Sequence, residues 1–257
     1  MINFPLGFII GIFLGSFVKA TADRVIGEIS LGGRSYCFSC KKTLAWYDLI
    51  PLFSYLTLRG KCRYCQKEIP KSNLVFELTL GLLLGMFFYF TKATSLIELL
   101  FGIFIISILS IVFWVDYKTG LIHDRITYPA IIISLAFLVT IALSLGDLNP
   151  LLWSFISGLG LASFFLLLII ITRGKGMGGG DVKYVFLLGL FLGFPKVFTG
   201  VFLAFLIGAV FSILLIIFGR KKFGQTIPFG PFLSIGAYLA LLWGEQILAL
   251  YLNSFKV

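Results

Sequence analysis

The chain has 257 residues, is 59% hydrophobic and only 12% charged, and carries a formal net charge of +10. A soluble domain carries roughly twice that charged fraction, so the composition excludes an ordinary soluble globule and points to a polytopic membrane protein. The basic excess is spread along the chain as a topology signal instead of gathered in a patch, which argues against a nucleic-acid partner.

Met1 to Val18 has neither a basic leading region nor a small-residue cleavage site, and reads as the start of a first span. Apolar windows near 4–22, 74–91, 97–115, 128–146, 151–172, 184–195, 197–218 and 228–252 predict eight helices. Twelve residues at 184–195 reach only about 18 Å, so this helix is expected to start inside the preceding Gly-rich segment or to be sheltered by its neighbours. Residues 23–73 are too polar and too rich in turn residues to span. The predicted fold class is therefore an all-α polytopic membrane protein of about eight transmembrane helices. Its parts are a first helix (1–22), a small inserted domain (23–73) and a membrane domain (74–257).

With eight spans, residues 23–73, 116–127, 173–183 and 219–226 share one side and hold 17 of the 21 Lys and Arg. Lys92, Lys196 and Lys256 fall opposite, and Lys19 lies inside the first window. This asymmetry predicts that the inserted domain is cytoplasmic and both termini are outside.

All four cysteines belong to the inserted domain, as Cys37-Phe-Ser-Cys40 and Cys62-Arg-Tyr-Cys65. Each pair can form a knuckle with two thiolates aimed at one ion, and two knuckles complete a tetrahedral shell, usually for zinc. A reducing compartment disfavours disulfides, and so small a domain gains folding free energy from the metal. Four Cys close the shell, so the expected Zn2+ is structural and leaves no open position for a reacting water.

Only 11 acidic residues occur in the chain, so each can be weighed. Glu77 opens the 74–91 window, where a carboxylate favours a helix N-terminus. Asp116 directly follows a long apolar run in "WVDYKTGLIHDRITYP", which also contains Asp124. Asp181 lies in "GKGMGGGDVK", ahead of the short window and on the same predicted side. Two Asp from different helices at matching depth can face each other across a bundle interior, where an ionisable group is expensive and by default functional. Close carboxylates cannot both ionise easily and share one proton. The ionised member can then deprotonate a water while the protonated one polarises a peptide carbonyl, the chemistry of an aspartic protease. Helix capping and solvated interfacial charge fit the same residues, Asp181 above all. Gly178, Gly179 and Gly180 would let an extended peptide backbone approach Asp181, or simply form a hinge. No GxxxxGK[ST] or GxGxxG loop follows a strand, which disfavours phosphate binding.

Several stretches together carry a resemblance: "GSF" at Gly15–Phe17, "LAWYDLIPLFSYLTLRGKC" between the knuckles, "LVFEL" at Leu74–Leu78, "VDYKTGLIHDRITYP" and "GMGGGDVK". In order and spacing the chain resembles the bacterial type IV prepilin peptidases, integral-membrane aspartic proteases of the GxGD type. The resemblance implies cleavage of the basic leader from prepilins or pseudopilins, after a Gly, at the cytoplasmic face of the bacterial inner membrane. It also implies methylation of the new N-terminal residue by S-adenosylmethionine, whose binding residues no motif identifies. It assigns the catalytic pair to Asp116 and Asp181, and Gly178 and Gly180 to the glycines of GxGD. Asp124 becomes a cap or substrate contact, and Lys183 a residue that orients or neutralises Asp181. The four cysteines match the family's metal-binding domain.

Departures cluster near that domain. Lys19 stands where the family has Asn, Trp46-Tyr-Asp-Leu-Ile-Pro51 replaces a W-x-x-N-I-P segment, and Lys71-Ser72-Asn73 replaces R-Y-P before Glu77. His123 replaces Pro in the first aspartate motif and reads as a loop substitution, not a base. Peptidase activity is thus the firmer expectation. A GxGD protease of other specificity, a noncatalytic membrane assembly factor and a transporter are the competing classes, and the inverted repeat common in transporters is not evident.

Overall fold

The structure, a computed structural model, describes residues 4–91, 95–174, 177–220 and 226–254. The topology expectations for Lys92, Lys175, Lys221, Lys222 and Lys256 lie outside these residues. The helices are α1 (Phe4–Ile26), α2 (Phe53–Thr57), α3 (Lys71–Phe90), α4 (Leu96–Thr119), α5 (Asp124–Leu145), α6 (Asn149–Ile171), α7 (Gly179–Leu192), α8 (Lys196–Ile217) and α9 (Gly230–Ser254). A 3-10 turn at Trp46–Leu49 precedes α2. Every apolar window is a helix, and seven of them are long and apolar enough to cross a membrane.

The boundaries moved for a physical reason. A hydropathy window stops at the first charge, whereas a helix stops at its cap. Thus α4 continues through Asp116 to Gly120, whose φ of 67° is the left-handed conformation that ends it. Asp116 therefore sits in the last turn of a helix. The short helix α7 begins at Gly179, inside the Gly-rich segment, and its 14 residues reach about 21 Å.

The chain divides into two compact units, residues 1–94 with 102–111 and residues 95–101 with 112–257. In the first unit α1 and α3 pack along glycines. A Cβ on Gly11 would meet the Leu80 carbonyl oxygen at 2.5 Å, so this face tolerates no side chain. Between them lies the cysteine module, which builds the same hairpin twice. Tyr36 bridges Thr43 and Lys61 bridges Glu68. The Cys37 amide donates to the Lys42 carbonyl (3.0 Å), and the Cys62 amide to that of Lys67 (2.8 Å). Lys41 and Gln66, each just after the second cysteine of its pair, share a φ of 59°. Asp48 accepts from Arg63 (2.8 Å), Tyr64 (3.2 Å) and the Ala45 amide (3.3 Å), tying the connecting segment to the second hairpin.

In the second unit α7 is the interior helix, in contact with α5, α6, α8 and α9. Tyr184, Val185, Leu187, Leu188 and Leu190 are fully buried. That enclosure explains how so short a helix is accommodated: its sides meet protein instead of lipid. Against α6 the approach is backbone to backbone, since a Cβ on Gly189 would land on the Cα of Gly158. Gly189→Val should therefore destabilise the protein by about 2–3 kcal/mol, the scale of overpacking. Thermal melting in detergent reads this out, with Gly160→Ala, which faces open space, expected to leave Tm unchanged.

Candidate active site

Asp116 and Asp181 are both buried, at 3% and 9% exposure. Asp116 projects from the last turn of α4 and accepts the amide N–H of Gly230, the first residue of α9, at 2.8 Å. Asp181 is the third residue of α7 and accepts the amide of Gly178 at 3.2 Å. Each carboxylate thus sits at the amino end of a helix, where free N–H groups and the helix dipole favour negative charge. Asp116 is near enough for its charge to act on Asp181 and on the Tyr184 hydroxyl. The capping alternative for Asp181 and a catalytic use are compatible, because one oxygen closes the cap and the other remains.

A chain of buried polar groups ties these helices together. Ser234 donates to the Gly230 carbonyl (2.9 Å), leaving its oxygen to accept from the Tyr184 hydroxyl (2.7 Å). Tyr184 lies one turn after Asp181, so the chain runs from α7 to the carbonyl of Gly230 on α9, the residue whose N–H holds Asp116. None of Gly230, Tyr184 and Ser234 was expected from the sequence. The one signal was the Gly230-Pro231 pair opening an apolar window, since Pro marks a helix start.

The glycines divide into two kinds. A Cβ on Gly180 would press on Ile122 at 3.1 Å, so Gly180 seats α7 against the loop before α5. Gly179 faces open space, and a Cβ on Gly178 would lie 3.7 Å from Asp181 Oδ2. Lys183 pairs with Asp124 at 2.7 Å and lies over the Tyr128 ring at 5.1 Å. Both charged groups are well exposed, so the pair ties α7 to α5 and contributes little stability. Asp124 opens α5, and His123 occupies the position before it without a side-chain cap bond.

Glu77 belongs to the first unit. It is buried and accepts the Leu52 amide at 3.0 Å, which fastens the cysteine module to α3. The four thiols converge: one Sγ from each of Cys37, Cys40, Cys62 and Cys65 lies within 4.8 Å of all the others, and Cys37 and Cys65 are 3.9 Å apart. Metal–sulfur bonds of about 2.3 Å in a tetrahedron put sulfurs about 3.8 Å apart, so the cluster could hold a metal ion. Burial pushes the Cys37 thiol up, but the amides of Cys40 and Ser39 outweigh it and lower it to about 7. At Cys65 the Lys67 amide pulls down, yet burial and the three neighbouring thiols raise it to about 11. Such crowding is unfavourable for bare thiols and favourable once a cation displaces their protons.

Family comparison agrees with this division of features. Residues 9–91 match the Bacterial Peptidase A24 N-terminal domain, and residues 103–213 match the Type IV leader peptidase family. A prepilin leader peptidase/N-methyltransferase of Bacillus subtilis (strain 168) is 34% identical, with 96% of each chain covered. Its counterpart in Stutzerimonas stutzeri is 33% identical over 85% of this chain and 75% of its own. That of Vibrio cholerae is 30% identical over 87% and 90%. No solved structure matches the chain significantly.

Proposed function

The chain belongs to the type IV leader peptidase family, and on that footing we propose that it is a membrane aspartic endopeptidase that removes the basic leader of prepilins or pseudopilins after a Gly. It then methylates the new N-terminal residue with S-adenosylmethionine. One observation carries the peptidase half: two buried carboxylates from separate helices, each held by a backbone N–H, in a chain with only 11 acidic residues.

Asp116 and Asp181 share one proton. The ionised carboxylate takes a proton from the attacking water, and the protonated one donates to the scissile carbonyl oxygen as the tetrahedral intermediate forms. Transfer of a proton to the scissile nitrogen breaks the C–N bond, which releases the pilin amine and leaves the leader with a terminal carboxyl group. Gly178 and Gly179 leave the approach to Asp181 free of side chains, so an unwound stretch of substrate can lie along it in extended form. The Lys and Arg asymmetry supports a cytoplasmic position for this chemistry, with both termini outside, and the family supports a bacterial inner membrane.

Purified protein in liposomes, given a prepilin and labelled S-adenosylmethionine, tests both halves separately. Leader removal from the prepilin, with unrelated membrane helices left intact, is the expected result. Cleavage of both alike would indicate a GxGD protease of other specificity, and cleavage of neither a noncatalytic role.

The metal held by the four thiols is zinc, in a structural role. Reduced protein should contain about one zinc per chain, and Cys62→Ser should bring this below roughly one fifth and expose residues 30–70 to limited proteolysis. Elemental analysis finding no stoichiometric metal in the parent protein would refute the assignment.

A further inference from the structure

Two buried polar side chains of the second unit take no part in the proton transfers of the proposed cleavage. Tyr184, at 0% exposure, and Ser234, at 4%, meet through their hydroxyls at 2.7 Å, which joins α7 to α9. The Ser234 hydroxyl has a single proton and directs it to the Gly230 carbonyl oxygen at 2.9 Å, so Tyr184 is the donor of the pair. With its proton committed in this way, the Tyr184 hydroxyl is not a proton source for the carboxylates. Packing alone does not call for such a pair: Phe and Ala at the two positions would fill much the same space at little or no cost.

What the pair adds is direction. Beyond Tyr184, α7 consists of Val, Phe, Leu and one Gly. Apolar contact is non-directional, whereas a hydrogen bond weakens steeply once its atoms leave line, so the bond fixes the helix along its axis more tightly. Each end of it lies one turn from the support of a carboxylate. Tyr184 follows Asp181 by one turn of α7, and Ser234 follows Gly230 by one turn of α9. The Gly230 N–H holds Asp116 at 2.8 Å. The first turn of α7, which carries Asp181, is thereby tied to the first turn of α9, which holds Asp116. Oxygens that share a proton stand about 2.5–2.7 Å apart, so a slip of α7 against α9 by about 1 Å would undo the sharing.

We infer that Tyr184 and Ser234 are positioning residues for leader cleavage: their hydrogen bond sets the register of α7 against α9, and with it the approach of Asp181 to Asp116. The inference rests on the peptidase half of the proposed function, in which these two carboxylates do the chemistry. Neither hydroxyl touches substrate. Their effect passes through the Gly230 end of α9 on one side and the first turn of α7 on the other.

Tyr184→Phe, Ser234→Ala and the double variant test the assignment, each as full-length protein in liposomes, with single-turnover cleavage of a prepilin and Tm measured on all three. Tyr184→Phe keeps the ring and removes only the bond. It should lower the maximal cleavage rate about tenfold or more, with the half-saturating prepilin concentration unchanged within about twofold. Ser234→Ala should lose as much rate and melt roughly 5 °C lower, because it leaves the buried Tyr184 hydroxyl without a partner. The double variant removes that orphan, so its Tm should return towards the parent value while its rate stays about tenfold down. A merely structural pair would recover rate together with Tm. Such joint recovery, cleavage by Tyr184→Phe within about twofold of the parent rate, or a loss confined to the half-saturating concentration would overturn the positioning role while leaving the peptidase reading intact. A parent protein that leaves the prepilin uncut would overturn the peptidase reading and the positioning role with it.

Discussion

Asp116→Asn and Asp181→Asn are each expected to reduce leader removal by roughly 10³-fold or more, while expression and Tm stay near those of the parent protein. Asn keeps the shape of Asp and an oxygen that can accept a hydrogen bond. The Gly230 amide keeps its partner at residue 116, and the Gly178 amide keeps its partner at residue 181. What is lost is the capacity to share and pass a proton. Ala would be a poorer test, because it would orphan the buried Gly230 N–H at a cost of about 1–3 kcal/mol. Loss of activity would then mix chemistry with folding. The measurement is single-turnover cleavage of a purified prepilin, followed by mass spectrometry of the product. Full cleavage by either Asn variant would sink the proton-sharing pair.

Gly230→Val is expected to cost at least about 10²-fold in the same assay, with Gly230→Ala intermediate. A Cβ at this position would lie 2.6 Å from Asp116 Oδ2 and 3.0 Å from its Cγ. Gly230 begins a helix, so Ala fits its backbone and the penalty comes from displacing the carboxylate. Misplacement of a reacting group by about 1 Å is enough to cost two orders of magnitude. The prediction separates Gly230 from a glycine needed only for packing: the Ala variant should lose rate well before it loses Tm. Cleavage by Gly230→Ala within twofold of the parent rate would show that Asp116 is not held through this contact.

These two expectations differ in how much of them the sequence discloses. The Asp pair stands out because acids are scarce in this chain and both follow or precede apolar runs. The eight helices are equally plain, since lipid demands long apolar windows and leaves little room for ambiguity. Gly230 is different. Its partner Asp116 is 114 residues away, and only the folded bundle brings an amide to that carboxylate. Tyr184 and Ser234 are invisible for the same reason, as a Tyr and a Ser among apolar neighbours read equally well as filler. The pairing of Lys183 with Asp124 is likewise hidden: the family resemblance assigns Lys183 to Asp181, whereas Lys183 pairs with Asp124 on α5. The cysteine knuckles were legible because metal geometry constrains spacing directly. The matching turns at Lys41 and Gln66 were not, because neither is the glycine that a positive φ usually attracts.

The enclosure of α7 has a consequence for the surrounding bilayer. A helix of about 21 Å facing lipid would force the surrounding bilayer, with its core of roughly 30 Å, to thin around it. Ringed by α5, α6, α8 and α9, it transmits none of that mismatch to the lipid. The shortfall is taken up inside the protein, because every one of those neighbours is longer than α7. Asp181, in its first turn, is therefore buried by protein and not by lipid.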